Sequence, residues 1–489
     1  MSDKIDFIII AIYLTGTVTI GIACRGRQKN TEDYFLAGGQ MRSTFQSILL
    51  GLSIVATLFS GISFMAYPSL GYSYGMAVLI SIISFPIALL VLKFWFLPRL
   101  LATGIKYPYD IIENNLGPHI RTLAAVMYIL LRIGWMAALI YAPTMALLAA
   151  ANLSDNWFWP LVLVIGLTST FYTTLGGIRG VIVTDAIQFV VIALGVSLTI
   201  IFVLVRLPVS FGETYQYLQG KDMLSLFDFS LDPHKTITFW SCLIGFTIST
   251  LGMYMADQMS LQRYLAAGQG KSADRAFTFN ILGGILVVTM LIMVGLALIS
   301  WYHFVPDSNL PHKQDMIFPY FIATRLPVGM AGLVLAALLA ATISSMTSGI
   351  NTLAATITID FRMRLGSRMS AENQLRFGKI ASLTIGMSAT LIAGLVERLG
   401  TIFDITQTLL GLFLGPLLTC IIVAIQRRPV NRIMLAVGMV MGVFAAGGIV
   451  WLGWSSLWIA PTAFGVSMII TLLGTLLFGA HTPRDKIYE

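Results

Sequence analysis

Apolar runs long enough to span a membrane as helices alternate along this chain with short polar breaks. A helix needs about 20 mainly apolar residues to cross the hydrocarbon core of a bilayer. About thirteen such segments are present, centred near Tyr13, Ala56, Phe85, Tyr141, Ile165, Leu194, Thr247, Met290, Ala341, Thr384, Phe413, Val440 and Ile469. The runs are too long for barrel strands and lack their strict two-residue alternation, so the expected fold class is an all-α membrane protein. The first run, Ile5 to Cys24, lacks a clear small-residue cleavage site and is expected to stay as a span. The longest polar stretches, Arg206–Lys235 and His303–Thr324, are loop-sized, which puts function among the helices.

Composition agrees with a lipid-facing surface. Hydrophobic residues make up 57% of the 489, charged residues only 11%, and the mean hydropathy is +0.85, values that exclude a water-soluble domain of this size. Cys24, Cys242 and Cys420 lie far apart, without the spacing of a zinc site or disulfide framework. The formal charge of +8 matters through its distribution, because cytoplasmic loops accumulate lysine and arginine. One set of alternate loops holds the groups Arg25–Arg42, Arg99–Arg121, Arg179, Arg263–Arg275, Arg362–Lys379, Arg427–Arg432 and Arg484–Lys486. The other set, despite its long loop, holds only Lys4, Arg206, Lys221, Lys235, Lys313, Arg325 and Arg398. The expected topology is therefore N-terminus outside and C-terminus cytoplasmic. The charge marks a membrane face, and no nucleic-acid partner is implied.

Polar residues inside spans are costly and mark either function or packing. In Gly51–Ala66 the residues Ser60, Gly61 and Ser63 suggest a helix whose backbone opens and frees carbonyls for a cation, while Ser53 and Thr57 fit close packing equally well. The seventh segment has similar interruptions at Thr247, Ser249, Thr250 and Gly252, followed by Asp257 and Gln258. Two interrupted helices five segments apart fit an inverted-repeat transporter with a midplane site. Packing at Gly252 and a water-interface position for Asp257 are the structural alternatives.

Ala341, Ser344, Thr347, Ser348 and Thr352 fall three and four apart and so share a helix face, an oxygen-rich wall suited to a hard cation such as sodium. Asp185, with Gln188 on its face, supplies a carboxylate that needs a cation or a hydrogen-bond partner, with Arg179 as the candidate for a purely structural ion pair.

With NTEDYFLAGG after the first span, then TTLGGIRGVIVTDAIQ, DQMSLQRYL and LAATISSMTSG in that order, the chain resembles the sodium:solute symporter family over nearly its whole length. The resemblance implies a leucine-transporter type core of two inverted five-helix repeats. The chain would then be one transmembrane domain, 1–489: a first helix at about 5–24, the ten-helix core at about 45–426 and two C-terminal helices at about 431–480. It also implies a first sodium site at Ala56, Phe59, Ala341, Ser344 and Ser345. A second sodium, as in sialic acid carriers, would fall at Asp185, Ser344, Thr347 and Ser348.

In the solute region the chain departs from its better understood relatives. Trp135 stands where sialic acid carriers place an arginine, Val78 and Ile82 replace an aromatic and a polar contact, and Asp257 aligns with an asparagine of galactose carriers. Sialic acid is thereby disfavoured. The candidate solute residues are Ser60, Ser63, Trp135, Asp257 and Gln407; Arg132, one turn before Trp135, could pair with a small carboxylate, but is expected instead to snorkel toward the cytoplasmic interface. The expected activity is sodium-coupled import of a small organic solute, a monocarboxylate, sugar or related metabolite, by a monomer in the lipid bilayer. Proton coupling through Asp185 and a membrane sensor are the alternatives. An enzyme is not expected, since the spans carry no His-Glu-x-x-His, no Gly-x-Ser-x-Gly and no aspartate pair.

Overall fold

The computed structural model describes residues 4–23, 44–105, 107–151, 153–267, 271–362, 370–394 and 401–480, and the regular elements there are all helical. They are α1 (Lys4–Ala23), α2 (Thr44–Leu58), α3 (Gly61–Tyr74), α4 (Ser84–Val91), α5 (Leu97–Ala102), α6 (Asp110–Leu116), α7 (Pro118–Ala151), α8 (Phe158–Arg206), α9 (Phe211–Gly220), α10 (Thr247–Met255), α11 (Gln258–Ala267), α12 (Lys271–Phe304), α13 (Ile317–Thr324), α14 (Met330–Thr356), α15 (Ala371–Ile392), α16 (Ile402–Gln426), α17 (Arg432–Trp451) and α18 (Ile459–Phe478). Every predicted span centre lies within one of these helices. Eight stretches among the described residues are long and apolar enough to cross a membrane. The NTEDYFLAGG motif lies outside the described residues.

The spans centred at Ile165 and Leu194 both lie on α8. Its 49 residues would run about 73 Å if straight, more than twice the roughly 30 Å hydrocarbon core. Its two ends pack on different partners: Gly166 and Thr170 meet Thr390 and Gly386 of α15, whereas Gly195 meets Ala337 of α14.

Burial locates the centre of the bundle. The apolar window of α14 is 89% buried, that of the last helix only 22%, so α14 is the central post and α18 a peripheral, lipid-facing element. The small residues of α14 explain the position, since alanine, serine and glycine let neighbouring backbones approach closely. Its first turn is anchored by α1, where Asp6 Oδ1 accepts the Gly329 and Gly332 amides at 2.8 Å each. A buried carboxylate there satisfies orphan helix N–H groups and complements the positive end of the helix dipole.

Two helices are interrupted. α2 ends at Leu58 and α3 starts at Gly61, with Ser60 in extended geometry as N-cap. The ladder runs to the Phe59 amide on the Val55 carbonyl and resumes with the Phe64 amide on the Ser60 carbonyl, leaving the carbonyls of residues 56–59 in the gap. Glycine is required at position 61, because a Cβ there would collide with the Thr342 hydroxyl of α14.

The second break lies between α10 and α11, later than the sequence suggested. Thr247 to Gly252 stay helical, and the chain opens only at Ala256–Asp257, where the Asp257 carboxylate accepts the Met259 amide at 2.9 Å. Hydroxyl and glycine residues mid-span are tolerated because serine and threonine side chains can bond to their own helix.

Candidate functional site

Both breaks face the same interior, and between them lies a cavity of about 90 Å³. All five candidate solute residues, Ser60, Ser63, Trp135, Asp257 and Gln407, border it. The other walls combine hydroxyls (Ser81, Ser84, Ser249, Thr250, Thr406) with aromatic and apolar faces, among them Phe59, Tyr67, Phe85, Phe246 and Phe403.

Arg132 also lines this cavity, contrary to expectation. It is 2% exposed and forms an ion pair with Asp257, itself fully buried rather than at a water interface. A guanidinium buried in the bundle must be neutralised there, and Asp257 does so. Its guanidinium carbon lies 4.5 Å from the centroid of the Trp135 ring and 5.5 Å from that of Tyr128, a cation–π arrangement. The Tyr128 hydroxyl is 3.2 Å from Asp257 Oδ1 and 3.0 Å from Thr352 Oγ1. Two buried polar atoms on the cavity wall, Arg132 Nε and Ser81 Oγ, have no protein partner among the described residues.

A second polar cluster sits beside the first break, where α2, α8, α11 and α14 meet. Asp185 accepts from Ser53 (2.7 Å), Thr57 (3.2 Å) and Ser344 (2.8 Å). Arg263, counted above among loop cations, is instead 1% exposed and pairs with Asp185 at 3.1 Å. The same guanidinium donates to Thr57 Oγ1 at 2.7 Å and Ser348 Oγ at 2.5 Å. Arg121, another counted cation, is also largely buried and pairs with Asp110 and Glu113 at 2.8 and 2.6 Å. The Arg179 side chain proposed for Asp185 lies outside the described residues.

Of the first-site candidates, Ala56 and Phe59 border the gap between α2 and α3, and Ser345 reaches it from α14. The Ser345 hydroxyl donates to the Thr57 carbonyl at 2.9 Å. Ala341, Ser344 and Ser345 are all essentially unexposed. Of the second-site candidates, Ser344 bonds Asp185 and Ser348 bonds Arg263, while Thr347 turns back to the Ser344 carbonyl at 2.9 Å.

The profile of the sodium:solute symporter family matches residues 34–446. The chain belongs to that family. Membership makes it a multi-pass membrane transporter whose activity is sodium-coupled symport of a small solute by alternating access, within a family of transporters rather than enzymes. This symporter is 29% identical over 422 residues to the human sodium-coupled monocarboxylate transporter 2, covering 84% of this chain and 67% of that protein. It is 29% identical over 450 residues to the sodium/sialic acid symporter NanT of Aliivibrio fischeri, covering 90% of this chain and 86% of that protein. Its fold matches a solved substrate-bound, outward-open sodium-coupled sialic acid symporter with a TM-score of 0.88 at 24% identity, over 98% of this chain and 99% of that one. A nucleobase-cation-symport-1 transporter shares the fold more distantly, with a TM-score of 0.55 at 15% identity over 88% and 92% of the two chains. These likenesses place the symporter in the leucine-transporter type fold.

Sequence reasoning missed Arg263 as a member of the symporter's site and ranked the carboxylate-pairing reading of Arg132 behind snorkelling. Arg263 follows Asp257 by six positions, on the helix that restarts after the break, and a motif ending in Gln-Arg next to a mid-span acid was a usable signal. Arg132 lies at a three-residue spacing from Trp135 and so on the same helix face, which had already been assigned to the solute pocket.

Proposed function

We propose that this symporter imports a small organic monocarboxylate, with sodium held at Ala56, Phe59, Ala341, Ser344 and Ser345 and the solute held in the cavity between the two helix breaks. The observation that carries the solute class is Arg132, a guanidinium on the cavity wall with Nε unpartnered among the described residues. Guanidinium groups match carboxylates in charge and geometry. The aromatic walls leave room for an apolar body, and Ser60, Ser63, Ser81 and Gln407 offer hydroxyl or amide contacts. The monocarboxylate transporter among the relatives is consistent with this reading.

Sodium at the first site is supported by the chemistry of its donors. Hard cations prefer hydroxyl and carbonyl oxygens, and a hydroxyl that donates its proton, as Ser345 does to the Thr57 carbonyl, keeps its lone pairs free for a cation. Proton coupling through Asp185 is disfavoured because its two oxygens accept four donors, from Ser53, Thr57, Ser344 and Arg263. An ionised carboxylate is acceptor-only, and this donor set suits it.

A polar chain joins the two sites: Asp257 accepts the Met259 amide, the Met259 carbonyl accepts Arg263 Nη1 at 2.9 Å, and Arg263 meets Asp185 and Thr57. Coupling is then linkage, in which sodium and solute raise each other's affinity by one factor. The basic loop distribution supports an N-terminus outside and a C-terminus in the cytoplasm, even with Arg121 and Arg263 set aside. A complete site within one chain supports a monomeric unit.

The test is the melting temperature of purified protein in sodium versus choline chloride, with monocarboxylates, sugars, amino acids and sialic acid in turn. A ligand at a hundred times its dissociation constant adds about 2.7 kcal/mol. The expected result is a sodium-specific shift enlarged by monocarboxylates. A shift enlarged by a sugar or sialic acid instead would replace the solute class, and equal melting in sodium and choline would remove the sodium site.

A further inference from the structure

The link between α16 and α17 collects positive charge without an anion to balance it. α16 ends at Arg427, whose backbone is left-handed (φ 52°), and α17 starts at Arg432. Arg427, Arg428 and Arg432 wall a cavity of about 210 Å³, completed by Pro429, Val430 and the end of α6 at Asn115 and Leu116. Arg432 leans over the corner between α6 and α7, with Nη1 3.2 Å from where a side chain at Gly117 would begin. Arg427 and Arg428 are exposed and Arg432 is half-buried. None of the three forms an ion pair among the described residues. The acids of α6, Asp110 and Glu113, are spent on Arg121. Arg432 also stands in the first turn of α17, where the helix dipole opposes a cation, and that turn contains no acid. The Asn431 side chain already accepts the Ile433 and Met434 amides there. What the cavity lacks is therefore a counter-charge for its three guanidinium groups.

We propose that this cavity is a site for the phosphate of an anionic phospholipid, held by the three arginines while an acyl chain lies against α17. Guanidinium groups match phosphate oxygens with parallel N–H donors, and basic pockets between membrane helices suit lipid headgroups. The apolar surface beside the cavity selects a lipid over a free phosphate. Ile433, Val437, Met441 and Phe444 are exposed and fall three or four residues apart, so they form one outward stripe on α17 that starts next to Arg432. From Ile433 to Phe444 the stripe rises about 17 Å, close to half of the roughly 30 Å hydrocarbon core, which is the depth of one leaflet. A headgroup in the cavity and a chain on the stripe are then continuous. The site is built from α6, α16 and α17 and shares no residue with the cavity between the helix breaks, so it does not depend on the solute or sodium readings.

Titration of delipidated full-length protein in detergent, read by native mass spectrometry, gives the apparent affinity of the first bound lipid. Wild type is expected to prefer phosphatidylglycerol to phosphatidylcholine by about tenfold or more, and Arg428→Gln and Arg432→Gln should each weaken phosphatidylglycerol about fivefold while leaving phosphatidylcholine unchanged. Arg99→Gln removes an exposed arginine outside the cavity, from the set of basic loops that also holds Arg427–Arg432, and should leave both affinities as they are. Equal affinity for the two lipids would overturn the proposal. So would a loss in Arg99→Gln as large as in the cavity variants, since a diffuse basic surface would then account for the preference. Inorganic phosphate that displaces phosphatidylglycerol at equal concentration would make the cavity a free-anion site and overturn the lipid assignment. Should Arg432→Gln fail to accumulate, Arg427→Gln and Arg428→Gln, at exposed positions, decide by the same criterion.

Discussion

Two arginine–aspartate pairs are buried in this bundle, and they are built differently. Arg263–Asp185 is saturated: hydroxyls from α2 and α14 and a carbonyl from α11 surround it, and every partner is closed in by neighbouring helices. Arg132–Asp257 borders a cavity, leans on two aromatic faces, and leaves Arg132 Nε without a protein partner among the described residues. Burial alone therefore does not define the role of an intramembrane charge. A pair whose donors are all engaged holds helices in register, whereas a pair beside a cavity with a donor still unpartnered has a hydrogen bond to gain from an incoming anion. A buried pair is weak evidence for stability, but removing one partner is costly because the other charge is left uncompensated.

The largest expected effect comes from removing the carboxylates. Asp185→Ala should lower stability by about 3–5 kcal/mol, read as a fall in melting temperature in detergent, while Asp257→Ala should cost clearly less because water in the cavity can solvate Arg132. Equal losses would break the distinction between the pairs. Next is Arg132→Gln, which should raise the KM for a monocarboxylate by about 10- to 100-fold, the worth of one charge-assisted hydrogen bond of about 1.5–3 kcal/mol. Sodium binding should survive that change, and Arg263→Lys should leave KM near wild type; a KM unmoved by Arg132→Gln would return Arg132 to a structural role. Ser345→Ala, outside both pairs, should raise the sodium concentration for half-maximal uptake by about fivefold, equivalent to about 1 kcal/mol.

The smallest effect extends the comparison to a pair near water. Asp307, beside Arg325 at 2.7 Å, has its carboxyl held below the usual carboxylate range, chiefly by the Asn309 amide and then by the Tyr320 hydroxyl and Arg325. A depressed value means that its stabilisation is complete above the ordinary carboxylate pKa of about 4 and is lost as pH falls through the lower, folded-state value. The melting-temperature difference between wild type and Asp307→Asn should therefore be small and constant near neutral pH and should close in acid. A difference that grew with acidity would contradict the assigned sign.

The fold was legible because lipid imposes it: long apolar runs must be helical, and every predicted centre lies in a helix. The first break was legible too, because Ser60 and Gly61 are poor helix residues placed where α14 comes close. The second was misplaced by several residues, since Thr247, Ser249 and Gly252 have the same composition yet continue the helix, and only the capping carboxylate of Asp257 ends it. Arg132 and Arg263 were misread for one reason. Charge near a polar break was assumed to face water, although each arginine had a mid-span acid to meet. Sequence spacing reports which residues share a face of one helix, but not which faces of separate helices meet. The convergence of Ser53, Asp185, Arg263 and Ser348, from four different helices, was therefore out of reach.

The Asp6 contact bears on how the protein is assembled. Asp6 is synthesised before the Gly329 and Gly332 amides that satisfy it, which follow 323 and 326 positions later. Until then its carboxylate must remain hydrated near the membrane surface, so α1 cannot take its final seat when it is inserted. It docks only once α14 has arrived, so a helix made before α14 is locked after it, and the Asp6 contact is a late checkpoint in the maturation of the bundle.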